Sequence, residues 1–130
     1  NSLSTVTTSF IGIRITVFTV FVSIDIFAKN DVNNFIEVTE KNKVCMVNNF
    51  YNPMADFTEF KVNVEKKSYY GCCAMCKDKL KMSSNHRMAT DPLTNEKISK
   101  ADAYIVADKT NKGRTYYFKS KSNFLKWTKL

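Results

Sequence analysis

The sequence predicts an α+β fold of two tandem β-hairpin–helix units that follow an N-terminal apolar segment. Two pairs of strand-like runs predict the hairpins: Phe57 to Val64 with Ser68 to Gly71, and Ala101 to Asp108 with Arg114 to Phe118. A short polar turn splits each pair. Each second run carries a Tyr-Tyr dipeptide, Tyr69-Tyr70 or Tyr116-Tyr117, and leads into a helix-type stretch. Three of the four cysteines, Cys72, Cys73 and Cys76, crowd at the first of these strand-to-helix joints.

Residues 1–28 form a segment of their own. The run Phe10 to Ala28 (FIGIRITVFTVFVSIDIFA) is apolar and β-branched, interrupted by Arg14, Asp25 and a few hydroxyls. It reads as a secretory signal ending at Ala28, or as a membrane anchor of near-minimal spanning length. A strand or core helix of the domain is the third reading. On the export reading the protein belongs to the bacterial periplasm or cell envelope, and any membrane contact runs through this segment. Residues 29–43 are polar with apolar Phe35, Ile36 and Val38, and read as a short helix or linker.

Residues 44–90 hold the first unit. Val44 to Val47 is a short apolar run of strand type, and Asn48 to Asp56 is a loop punctuated by Asn, Pro and Asp. Phe60, Val62 and Val64 then alternate on one face. Glu65 to Lys67 makes the turn, and a helix runs from Ala74 to about Ser83. Ser84 to Thr90 is irregular and contains the only histidine, His86.

Residues 91–130 hold the second unit. Asp91-Pro92-Leu93-Thr94-Asn95 is a turn signal. Lys109 to Gly113 separates the two strands. Ser120 is placed to cap a helix through Leu125 and Trp127. Laid over each other at their Tyr-Tyr pairs, the two halves match as an internal repeat. Cys72, Cys76 and Leu80 fall over Lys119, Asn123 and Trp127, and Thr94 takes a place like that of Cys45.

Thiols gathered where a strand meets a helix suit a soft metal ion. Cysteine thiolates supply the charge, and the two elements fix their spacing. Cys72 and Cys73 can each converge with Cys76 on the first helical turn. The helix N-terminus favours thiolate over thiol there. Cys45 lies upstream with Met46 beside it. Three thiolates suit copper(I) in trigonal geometry. Four thiolates, or three plus His86, suit tetrahedral zinc(II). Met46 and Met75 are soft donors beside the cysteines, but methionine is also an ordinary core filler.

Cys45 followed by Cys72-x3-Cys76 at a hairpin-to-helix joint resembles the TRASH domain, a small heavy-metal-binding module related to YHS domains. The second half, Asp91-Pro92-Leu93-Thr94-Asn95 and then Tyr116-Tyr117-Phe118-Lys119-Ser120-x2-Asn123-x3-Trp127, resembles a YHS unit whose cysteines are replaced. The resemblance runs from about Val44 to Trp127. It implies a treble-clef-like fold and a non-catalytic role in trafficking, sensing or resistance of copper or zinc. It makes Cys45, Cys72 and Cys76 the ligands of one ion, and a metal donor or acceptor protein the expected partner. Cys73 has no counterpart in the motif and stands as a fourth candidate ligand.

Other readings of the same residues stay open. In an exported chain the cysteines can form two disulfides, giving a stapled binding module. Cys73-x2-Cys76 at a helix start is also the arrangement of thiol–disulfide exchange proteins, though their βαβ surroundings are missing. One histidine with no persuasive Ser or acid partner argues against hydrolytic chemistry. The composition, 44% hydrophobic and 25% charged, is that of a globular domain, and three Gly with two Pro exclude a linker-like chain. The net charge of +8 comes from scattered lysines with no basic helix stripe. It reads as a solvated surface and not as a nucleic-acid interface.

Overall fold

The computed structural model describes residues 31–130. The apolar run expected as a signal or anchor lies outside these residues. Among the described residues, no helix is long and apolar enough to cross a membrane. The architecture is mixed α+β with antiparallel sheets.

The main sheet has five strands. Strand β1 is Phe35–Val38, β2 is Val44–Cys45, β3 is Phe50–Tyr51, β8 is Tyr104–Asp108 and β9 is Arg114–Phe118, in the order β1-β8-β9-β3-β2. It therefore draws strands from both halves of the sequence and from the polar stretch before them. That stretch, expected as a short helix or linker, has single 3-10 turns at Val32–Asn34 and Lys41–Lys43 with the strand β1 between them. Its alternation places Phe35 and Glu37 on one face and Val38 on the other, and Phe35 pairs with Asp108 across β8.

Two smaller hairpins complete the sheets. In the first, β4 (Lys61–Val64) pairs with β5 (Lys67–Tyr70). Glu65 and Lys66 make its two-residue turn, both at positive φ (52° and 68°). That backbone matches the twist of the flanking strands. In the second, β6 (Met88–Thr90) pairs with β7 (Lys97–Ser99). The stretch expected to be irregular is thus one helical turn, α2 (Ser84–Arg87), followed by a strand. Helix α1 is Ala74–Met82 and α3 is Lys121–Trp127.

The period of two in β8 and β9 divides the interior. Ile105, Ala107 and Tyr117 join Val38, Val44, Met46, Val62, Tyr69 and Leu80 in one core. Val106 and Phe118 face the other way, onto Phe124 of α3, with Phe35 and Trp127 closing the cluster. The ring pairs Phe35–Phe124, Phe118–Phe124 and Phe118–Trp127 lie 5.5, 5.4 and 5.3 Å apart, within the range in which aromatic pairs attract. So α3 packs on its own sheet, while the first hairpin and α1 cover the opposite face. Gly113 (φ 77°) lets the β8–β9 loop reach β3. Its carbonyl accepts from Tyr51 N at 2.8 Å, and a Cβ there would lie 2.3 Å from the Tyr51 carbonyl oxygen.

Candidate metal centre

Cys45 stands at the end of β2, where the chain turns back to β3. Asn49 N donates to Cys45 O at 2.7 Å, and Asn49 itself is left-handed (φ 57°). Met46 N donates to Tyr70 O at 2.8 Å, which ties this turn to the exit of β5. Two residues past Tyr70 comes Cys72, and one helical turn further comes Cys76. Gly71 permits the approach, since a Cβ there would lie 2.7 Å from the Cys76 Cβ. Cys76 and Leu80, four apart, form the buried stripe of α1.

The three sulfurs converge. Cys45 Sγ is 4.0 Å from Cys76 Sγ, and Cys72 Sγ is 3.7 Å from Cys76 Sγ. All three lie within 4.8 Å of one another. Thiolates on one ion, at bonds of about 2.3 Å, stand about 3.8 Å apart for tetrahedral and about 4.0 Å for trigonal angles. The arrangement can therefore hold a metal ion. Cys45 and Cys76 are buried and Cys72 is half-buried, so one edge of the cluster opens to solvent. None of the four cysteines is in a disulfide.

Asn48 is the residue that sequence reasoning missed. Its backbone N–H donates to Cys45 Sγ at 3.5 Å. Its side-chain Nδ2 reaches Cys72 Sγ at 3.5 Å and Cys76 Sγ at 3.9 Å. Donors aimed at ligand sulfurs orient them and offset their negative charge. The only signal in the sequence was an Asn three residues after Cys45. Lys100 is a second such residue. It is 5% exposed, and its ammonium donates to Met46 O at 2.5 Å and to Asn49 Oδ1 at 3.0 Å. Burial pulls its pKa down to about 8, with Cys45 nearby acting in the opposite sense.

Cys73 is not in the cluster. Its exposed side chain is the N-cap of α1, where Sγ accepts from Cys76 N at 3.4 Å. The Cys76 N–H, given to that sulfur, draws the Cys73 thiol below its ordinary value. Burial pushes Cys72 up, and pushes Cys76 up to about 12 with help from Cys73 and Cys45. Without metal, Cys72 and Cys76 therefore hold their protons at neutral pH. His86 is also elsewhere: it lines a cavity with Lys100 and Arg114. Met46 is fully buried in the core, and Met75 is 67% exposed on α1.

No family model, curated protein or solved structure matches this chain. The resemblance to TRASH and YHS domains thus rests on the motif residues alone.

The second unit solves its own joint without sulfur. Asn95 N donates to Asp91 O at 2.8 Å and Asn95 is left-handed (φ 62°), the same turn as Cys45 to Asn49. Asp91, and not Thr94, therefore occupies the place of Cys45. Its Oδ1 accepts from Leu93 N at 2.7 Å and Thr94 N at 3.3 Å. Its Oδ2 accepts from Lys119 N and Asn123 Nδ2, both at 2.9 Å. Burial alone would raise the Asp91 pKa, but these donors outweigh it and hold the carboxyl below the usual carboxylate range.

Proposed function

We propose that this protein binds one soft metal ion, copper(I) or zinc(II), through Cys45, Cys72 and Cys76, and that it holds or passes on that ion without catalysing a reaction. The observation that carries this reading is the convergence of three sulfurs, two of them buried, with Asn48 donating to all three. A three-sulfur set suits copper(I) as it stands, and suits zinc(II) with a fourth position left to an incoming ligand. The half-buried Cys72 gives a donor or acceptor protein a way in. The two hairpin–helix units are read as a duplicated treble-clef-like element, of the TRASH and YHS type, in which the second copy has lost its metal. On the export reading of residues 1–28 the site works in the cell envelope.

A thiol redox role has one observation on its side, the exposed Cys73 with its lowered pKa. The partner it would need, Cys76, is buried and held as a thiol, which makes it a poor resolving group.

The test is a titration of the reduced chain with copper(I) and with zinc(II) against a competing chelator, read by native mass spectrometry. One ion per chain is expected. Cys76→Ser should weaken binding by about a thousandfold or more, since it removes a ligand and not merely its support. A Cys76→Ser variant that binds as tightly as the parent overturns the assignment.

A further inference from the structure

A cavity of about 350 Å³ opens on the far side of the Cys45–Asn49 turn, between that turn, α2, β6 and β9. Its polar lining includes Asn49, His86, Lys100, Arg114, Thr115 and Tyr117, and no Asp or Glu is among the lining residues. Asp91 lies in the chain between two of the lining residues, but its carboxylate is turned away onto Lys119 N and Asn123.

Lys100 is the unusual member. Its ammonium is buried, yet all its partners are neutral: Met46 O, Asn49 Oδ1 and the face of Tyr117, 5.2 Å from the ring centroid. Cys45 acts on it from nearby, but no carboxylate among the described residues pairs with it, and a buried ammonium without a close counter-ion is costly. Arg114, at the rim, stacks on Tyr116 at 5.7 Å and has no carboxylate partner among the described residues. A guanidinium, an ammonium and an imidazole around one cavity supply charge and hydrogen-bond donors for an anion, while the Thr115 hydroxyl donates to the Tyr117 oxygen and the Tyr117 hydroxyl to Asn49 Oδ1. Asn49 presents its oxygen to Lys100 and Tyr117, which leaves its amide N–H groups for another acceptor.

We infer that this cavity binds a phosphate-class dianion, either free phosphate or the phosphate group of a small monoester. Two fixed cations flanked by neutral donors match a doubly charged tetrahedral oxyanion better than a single carboxylate. The site shares the Cys45–Asn49 turn with the sulfur cluster but uses none of the cysteines, so metal at Cys45 can tune Lys100 while the anion site itself does not require a metal.

The experiment titrates inorganic phosphate into the full chain at constant ionic strength, with amide NMR shifts and calorimetry as readouts. Glycerol phosphate, sulfate and acetate form the comparison arms. Saturable one-site binding is expected, with shifts centred on Asn49, His86 and Thr115. Arg114→Gln, at an exposed position, should weaken phosphate binding by about tenfold, the worth of one charge-assisted hydrogen bond. Lys126→Gln on α3 should leave it unchanged. Glycerol phosphate binding more tightly than phosphate identifies a monoester as the source, and the reverse order identifies the free ion. Non-saturable shifts spread over surface lysines overturn the proposal, as does an Arg114→Gln variant with the parent's affinity. Acetate binding as tightly as phosphate overturns the dianion class.

Discussion

At the joint of the first hairpin–helix unit stand Cys72, Cys73 and Cys76. At the same offsets in the second stand Lys119, Ser120 and Asn123. The backbones agree closely: the caps Cys73 and Ser120 have φ of −160° and −158°, and each accepts from the N–H three residues on. The upstream turns agree as well, with Cys45 and Asp91 in equivalent places. What differs is the group that ties turn to joint. In the second unit it is one buried carboxylate satisfied by four donors from within the chain. In the first it is three sulfurs whose mutual attraction is weak and which can hold an outside cation. One joint is finished by folding; on the proposed reading the other is completed by a ligand.

The sharpest way to break the comparison is Asp91→Ala. It strands several buried donors and should lower stability by roughly 3 kcal/mol, read by chemical denaturation. Metal stoichiometry should not change. If metal binding is lost with the fold intact, the two joints are not separate devices.

Acid should separate them in order. Cys72 and Cys76 sit above the usual thiol range in the metal-free fold, so an ion must displace protons to bind. Affinity therefore falls as pH falls, with proton competition already under way above neutrality. The Asp91 carboxyl is depressed in the fold. Its contribution is complete above the ordinary carboxylate pKa of about 3.9 and disappears only as pH drops through the lower folded value. Metal release followed at lower pH by unfolding, monitored by thiolate absorbance and circular dichroism, is the expected sequence.

Asn48→Ala deletes the side-chain donor to Cys72 and Cys76 but keeps the backbone one to Cys45. A loss of about tenfold in metal affinity is expected from competition titration, at the low end for groups that support ligands. Smallest of all, Cys73→Ser gives the first cap the chemistry of the second. Metal stoichiometry and the unfolding midpoint should both stay where they are. A lost ion in this variant would make Cys73 a ligand after all.

Local features of this fold were legible from sequence, and long-range ones were not. Both long hairpins and the Ser120 cap follow from alternation, turn residues and spacing, whereas the meeting of Cys45 with Cys72 and Cys76 is implied only by the resemblance of their motif. Phe35 to Val38 gave no such signal, because its partner is Tyr104–Asp108, far along the chain. Cys73 looked equivalent to Cys72 until the cap geometry turned its side chain outward. Asp91 announced a turn but not the carboxylate's second role, and the nearby Thr94 took its place in the overlay. Lys100 could not be found among so many surface lysines, since only the fold shows that its ammonium is buried.

X-ray absorption of the metal-loaded chain tests the central claim most directly, because it counts sulfur atoms around the ion. Three sulfur scatterers at about 2.3 Å are expected, alone for copper(I) and with one light atom for zinc(II). A first shell of nitrogen and oxygen, or one with fewer than three sulfurs, would contradict a centre built from Cys45, Cys72 and Cys76.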